Sequence, residues 1–166
     1  MVVVAIIITE IVRPKPLNWS PSYTSGDKIP FGCYILNNEL ENLFPNHKIK
    51  NIDKSPYQFL SEADIDLNSN LLFINNYLHF EGEELDELLS YVDKGNNVFL
   101  SASGFSQALK DTLKIDVHTQ RNFTEDSVIA QMANLNFKKQ EFAYTRGVFK
   151  SYFSAIDTVK ATVLGY

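Results

Sequence analysis

Few groups in this 166-residue chain could do chemistry. There is one cysteine, Cys33; there are three histidines, His47, His79 and His118; and two serines, Ser101 and Ser103, stand at the end of an apolar run. A serine nucleophile needs a base within hydrogen-bond reach and a third group to orient that base. Leu100-Ser101-Ala102-Ser103-Gly104-Phe105 reads as a strand turning into a helix, which is where a nucleophile elbow sits in an α/β fold. The G-x-S-x-G spacing is absent, and Ser and Gly are also what a helix N-cap requires. Capping asks for one residue where catalysis asks for three, so Ser103 reads first as a cap. His79 is the base available to either serine, because it follows another apolar run ending at the same edge of a parallel sheet.

Metal chemistry finds less support. The histidines are widely spaced, with no H-x-H or H-x-x-x-H pair, and a single cysteine rules out a Cys cluster. Asp64, Asp66 and Asn68 occupy the first three ligand positions of a calcium loop. Ser69 then stands where the sharp turn wants Gly, and Asn75 where a bidentate Glu is needed. Neither a metal nor a cofactor is expected. Cys33, within a largely apolar segment, reads as a small core residue.

The elements that would position these groups follow from periodicity. Phe31–Phe44 has apolar residues near helical spacing, with Pro30 suited to the first turn and Pro45 stopping it. A strand is expected over 47–52, and Leu71-Leu-Phe-Ile74 has the all-apolar character of a strand buried on both faces. Residues 82–94 form an amphipathic helix, with Leu85, Leu88, Leu89 and Val92 on one stripe and acids in the first turns. Asn97–Ser101 is a second buried strand, followed by a helix over 104–113. Strand alternating with helix predicts a parallel α/β layer. Beyond Lys114 the pattern becomes extended and aromatic-rich: Ile115–Thr119, Val128–Phe137, Glu141–Phe153 and Thr158–Leu164 read as strands of a β appendage.

Composition narrows the function classes. Hydrophobic residues make up 45% and charged residues 21% of the chain, ordinary globular values that exclude disorder. With 15 Lys and Arg against 20 Asp and Glu the net charge is −5, and no basic stripe suited to phosphates is evident, so nucleic acid is not an expected partner. Between Ser55 and Asp93 there are nine acids and no Lys or Arg, a solvated face that could dock a basic protein partner. The opening run Met1–Ile8 is apolar but too short to cross a bilayer alone. It reads as the tail of a membrane helix whose beginning is missing, with Arg13 and Lys15 at the interface and Pro14 and Pro16 breaking the element; a buried first β-strand is the alternative. The chain also stops without a closing element at Gly165-Tyr166.

Two stretches together resemble a known family. Lys15-Pro-Leu-Asn-Trp-Ser-Pro-Ser-Tyr-Thr-Ser-Gly-Asp-Lys-Ile-Pro-Phe-Gly-Cys-Tyr-Ile-Leu36, followed by Leu-Leu-Phe-Ile-Asn-Asn76 and Leu85-Asp-Glu-Leu-Leu-Ser-Tyr-Val-Asp-Lys-Gly-Asn-Asn-Val-Phe-Leu-Ser101, is similar to the bacterial domain-of-unknown-function family DUF4350. The resemblance covers residues 15–105, and the sequence past Lys114 fits the longer members. It implies a membrane-tethered class I glutamine-amidotransferase-like α/β domain, with no established activity. Where true amidotransferases place the catalytic Cys after the strand, this chain has Ser101-Ala102-Ser103.

The resulting expectation is a flavodoxin-like three-layer sandwich with a mostly parallel sheet and a C-terminal β-rich appendage. Residues 1–13 would be the remnant of an N-terminal membrane helix, 14–120 the amidotransferase-like α/β domain, and 121–166 an incomplete β-rich extension. The expected function is a non-catalytic, membrane-anchored domain that binds a protein partner or small ligand at the C-terminal edge of its sheet. Asn75, Asn76, His79, Ser101 and Ser103 would form that edge, with the 18–32 loop alongside. The alternative is a serine-dependent hydrolase using Ser101 or Ser103 with His79.

Overall fold

The computed structural model of the chain describes residues 13–14, 16–62, 68–120, 127–133, 140–145 and 150–166. Its elements follow in the order α1 (Tyr34–Leu43), α2 (Pro56–Glu62), β1 (Asn70–Ile74), β2 (Tyr77–Leu78), α3 (Gly82–Asp93), β3 (Asn97–Ser101), β4 (Gly104–Phe105), α4 (Gln107–Leu113), β5 (Ile115–Gln120), β6 (Val128–Gln131), β7 (Glu141–Tyr144) and β8 (Lys150–Ile156).

The core is a parallel ribbon and the helix that crosses over it. β1 pairs with β3 from Asn70↔Asn97 to Ile74↔Ser101, and β2 with β4 from Tyr77↔Gly104 to Leu78↔Phe105. Both ladders keep the 27-residue offset of the Asn70–Asn97 pair, so they are two stretches of one ribbon. Parallel strands need a crossover, and α3 supplies it. Leu85, Leu88 and Tyr91 on its apolar stripe join Leu60, Leu71, Leu78, Phe80, Phe105 and Leu109 in the buried cluster. Polar groups taken into this core are satisfied, as burial requires. The Tyr91 hydroxyl lies 2.7 Å from Ser69 Oγ, and buried Asn96 accepts from the Ser69 amide and donates to the Tyr91 carbonyl. Ser106 caps α4, accepting from the Leu109 amide while its hydroxyl donates to the Phe80 carbonyl at 2.7 Å.

The second half is antiparallel. β5 pairs with β8 from Ile115↔Ile156 to Gln120↔Lys150, with an irregularity at Asp116/Val117, and β6 pairs with β7 from Val128↔Tyr144 to Gln131↔Glu141. The pairs nest: the β6–β7 ladder falls within the span of chain that the β5–β8 ladder closes, displaced by only a residue or two in register. Gln131 and Tyr166 exchange reciprocal backbone bonds at 2.8 Å, which lays the last residues along the free edge of β6.

Several expectations are corrected. A flavodoxin-like three-layer sandwich does not form: among the described residues each ladder has two strands, two ladders being parallel and two antiparallel. The segment 47–52 is not a strand, because only Ile49 and Ile52 among its six residues are apolar. Helix α1 buries none of its residues. The second face of the β1–β3 ladder therefore stays open, with the cross-strand pair Leu72 and Phe99 exposed by 37% and 57%. The cap expected at Ser103 lies at Ser106, because Gly104-Phe105 pairs with Tyr77-Leu78 before the helix can begin. Thr158–Leu164 is not a strand; the Lys160 and Ala161 amides fold back onto the Asp157 carbonyl in a turn. Helix α2 was not legible in the sequence pattern.

The membrane partner is also withdrawn. Among the described residues no helix is long and apolar enough to cross a membrane. Anchoring through an N-terminal helix is thus unsupported, and residues 1–12, on which that expectation falls, lie outside the described residues.

Two outcomes test this packing. Leu109, 1% exposed, should cost about 2–5 kcal/mol when cut to alanine, while Ile35→Ala on α1, 77% exposed, should change stability by less than about 0.5 kcal/mol; urea unfolding of both variants measures the difference. The Asp116 carboxyl on β5 is held below its ordinary value of 3.8 by a hydrogen bond from Lys110, then by the Val117 amide and the Ser154 hydroxyl. A depressed carboxylate stabilises the fold above its unfolded pKa and loses that contribution as pH falls through the folded value. NMR titration should therefore place Asp116 below 3.8, and Lys110→Met should raise it.

Candidate functional site

The parallel ribbon is interrupted between its two ladders. β1 and β3 end at Ile74 and Ser101, β2 and β4 resume at Tyr77 and Gly104, and Asn75, Asn76, Ala102 and Ser103 lie between. Two backbone bonds hold the break closed: Asn75 N–H to the Ser101 carbonyl and Ser103 N–H to the Asn76 carbonyl, both 3.0 Å. Four of the five expected site residues, Asn75, Asn76, Ser101 and Ser103, are brought together here. A backbone bent out of the pleat releases side chains from strict alternation. Asn75 Oδ1 accepts from the Asn76 amide at 2.8 Å. Among the described residues, the Asn75 Nδ2, the Asn76 side-chain amide and the hydroxyls of Ser101 and Ser103 have no protein partner. β5 approaches the break from beside it: Thr119 Oγ1 donates to the Ser103 carbonyl at 3.1 Å and lies 3.0 Å from Ser151 Oγ.

His79 stands apart from this group chemically. Its Nε2 lies 3.6 Å from Glu81 Oε2, its side chain is 67% exposed, and its ring is next to Tyr77. No hydrogen bond joins it to either serine. Because a further strand pair separates Ser101 and Ser103 from α4, neither serine occupies the helix N-terminus that an elbow would use. Cys33 precedes α1 as its N-cap, and burial pushes its thiol up, away from the thiolate a nucleophile needs. Among the described residues no three His, Cys, Asp or Glu gather to hold a metal. Asp64 and Asp66 of the calcium-like spacing lie outside those residues.

The 18–32 segment is ordered by its own contacts. Tyr23 N–H bonds the Phe31 carbonyl at 2.8 Å, Cys33 N–H bonds the Thr24 carbonyl at 2.9 Å, and Trp19 meets the edge of the Phe31 ring. Gly32 has no room for a side chain, since a Cβ would collide with the Asp27 carbonyl oxygen. Tyr23 and Ser25 of this loop open onto a groove of about 630 Å³ that runs along β1 and past the 47–52 segment. That groove was not foreseen. Its one signal in the sequence is Lys48-Ile49-Lys50, a basic spot just ahead of the long acidic stretch.

Comparison with known proteins adds a family. Residues 25–164 match the family described as "Domain of unknown function (DUF4350)". The chain belongs to the DUF4350 family. No curated protein matches this DUF4350 chain, and no solved structure matches it. The match extends the resemblance carried by residues 15–105 through the antiparallel half, so the β5–β8 ladder lies within the family's extent.

An active-site probe tests the serines of this DUF4350 domain. A fluorophosphonate should leave Ser101 and Ser103 unlabelled, because neither hydroxyl meets a base among the described residues; labelling lost in Ser101→Ala or Ser103→Ala would establish a nucleophile instead.

Proposed function

We propose that this DUF4350 domain is a non-catalytic binding module that takes a protein partner or small ligand at the break in its parallel ribbon. The observation carrying this reading is the convergence of the Asn75 Nδ2, the Asn76 side-chain amide and the Ser101 and Ser103 hydroxyls, all without partners among the described residues. Such groups offer both donors and acceptors to an incoming polar group. Open α/β layers bind ligands just past the carboxyl ends of paired strands, where loops leave the sheet. The break stands at the carboxyl ends of β1 and β3.

A kinship with class I glutamine-amidotransferase-like domains is part of the same proposal. The strand–helix–strand unit of β1, α3 and β3 is the part such kinship would retain, and Ser101-Ala102-Ser103 replaces the Cys on which amidotransferase chemistry depends. A domain of that ancestry without its nucleophile is left with the binding half of the job. Fold analogy supplies no substrate, so the test concerns binding alone.

NMR screening with N-acetyl amino-acid amides as probes reads the site directly. Perturbed backbone amides should cluster at Asn75, Asn76, Ser101, Ser103 and Gly104. Asn76→Ala combined with Ser103→Ala should weaken binding by about 1–3 kcal/mol, the worth of two hydrogen bonds. Perturbations scattered over the surface, or indifferent to that double variant, would sink the reading.

A further inference from the structure

The outer edge of β1 is a second place where this chain can bind, by different chemistry. Asn97 N–H donates to the Ser69 carbonyl at 3.1 Å and Asn75 N–H to the Ser101 carbonyl at 3.0 Å, so the odd-numbered positions of β1 turn their backbone groups toward β3. In a parallel ladder the alternate residues, Asn70, Leu72 and Ile74, turn theirs the other way. Among the described residues no strand pairs with that edge. An uncovered edge is a template for another strand.

The surroundings of this edge select what would pair there. It forms a wall of the groove of about 630 Å³, within the ~300–1,000 Å³ range of ligand sites. Leu40 of α1 and Phe44 just past its end, with Ile49, give the groove an apolar side. Among the described residues no Asp or Glu lines it, although the chain carries 20 of them against 15 Lys and Arg. Its cations are Lys48, Lys50 and Lys54. Lys54 is taken by Glu62 at 2.6 Å, while Lys48 and Lys50 have no carboxylate partner among the described residues. A basic lining in an acidic protein attracts anions and disfavours docking of the chain's own acidic faces.

We propose that this groove takes an extended acidic peptide, which adds to β1 as a strand and sets carboxylates against Lys48 and Lys50. Strand addition draws affinity from main-chain hydrogen bonds and specificity from alternate side chains. A peptide places every second side chain on one face, so apolar residues can lie toward α1 while acids lie toward the lysines. A single-stranded nucleic acid is also extended and anionic, but a phosphodiester chain has no amides to pair with the row at Asn70, Leu72 and Ile74.

Fluorescence anisotropy with a labelled peptide of about eight residues, alternating valine and glutamate, tests this on the whole chain. Saturable binding is expected, and Lys48→Glu with Lys50→Glu should weaken it about tenfold or more. N-methylation of one alternate set of the peptide's backbone nitrogens should abolish binding while the other set is tolerated. Both lysines are exposed, so the urea midpoint should not move and lost binding cannot be ascribed to unfolding. Asn76→Ala with Ser103→Ala should leave this affinity unchanged, which separates the groove from the break in the ribbon. Equal binding of a valine–lysine peptide, indifference to the charge reversal or to N-methylation, tighter binding of oligothymidylate, or no binding at millimolar peptide would each overturn the proposal.

Discussion

Two parallel strands cannot be closed by a tight turn, and this DUF4350 domain depends on how that constraint is met. The chain must leave Leu78, cross the ribbon and return at Asn97 with enough buried area to hold the crossing in place. Helix α3 does so with Leu85, Leu88 and Tyr91, while Asn96, Ser69 and the Tyr91 hydroxyl lock the point of return. A fully buried apolar side chain contributes roughly 1.5–3 kcal/mol, more than a single net hydrogen bond of about 1 kcal/mol. The apolar stripe therefore drives the crossing, and the polar lock decides where it ends. The break at Asn75, Asn76 and Ser103 exists only because the same crossing aligns both ladders.

Much of this was readable from residue order. The apolar runs Leu71–Ile74 and Val98–Leu100, with the amphipathic pattern of 82–94 between them, announce a parallel strand–helix–strand unit, and strong periodicity survives tertiary context. Less was readable where the pattern is weak. Residues 47–52 offer two isoleucines among polar neighbours, too little to hold a third strand against β1. The three-layer sandwich failed at that point, because a parallel sheet needs both faces covered, and here α2, α3 and α4 bury their apolar residues in one cluster while Leu72 and Phe99 stay exposed. Local capping rules also misplaced the start of α4. Ser103 and Ser106 are both competent caps, and only the pairing of Gly104-Phe105 with Tyr77-Leu78, a long-range fact, decides between them.

The candidate site was legible in part for a similar reason. Asn75, Asn76, Ser101 and Ser103 stand at the ends of recognisable strands, so parallel pairing alone brings them together. His79 follows β2 in the chain, but an exposed side chain beside Glu81 is not directed by strand ends. The groove along β1 arises from a strand that does not form, and no motif marks such an absence in advance.

The constant offset of the parallel ribbon has a consequence for how the domain assembles. Closing a loop costs entropy that depends on the chain between the joined residues. Every pair from Asn70↔Asn97 to Leu78↔Phe105 closes the same span of chain, so the first pair bears that cost for all the others. Each later pair then adds its contacts against local ordering alone. The ribbon is thus built to zip in one cooperative event, with the break carried along by ladders on both sides. The nested antiparallel ladders obey the opposite rule, since the spans they close lengthen from Gln131↔Glu141 outward to Ile115↔Ile156, which favours stepwise growth from the inner pairs.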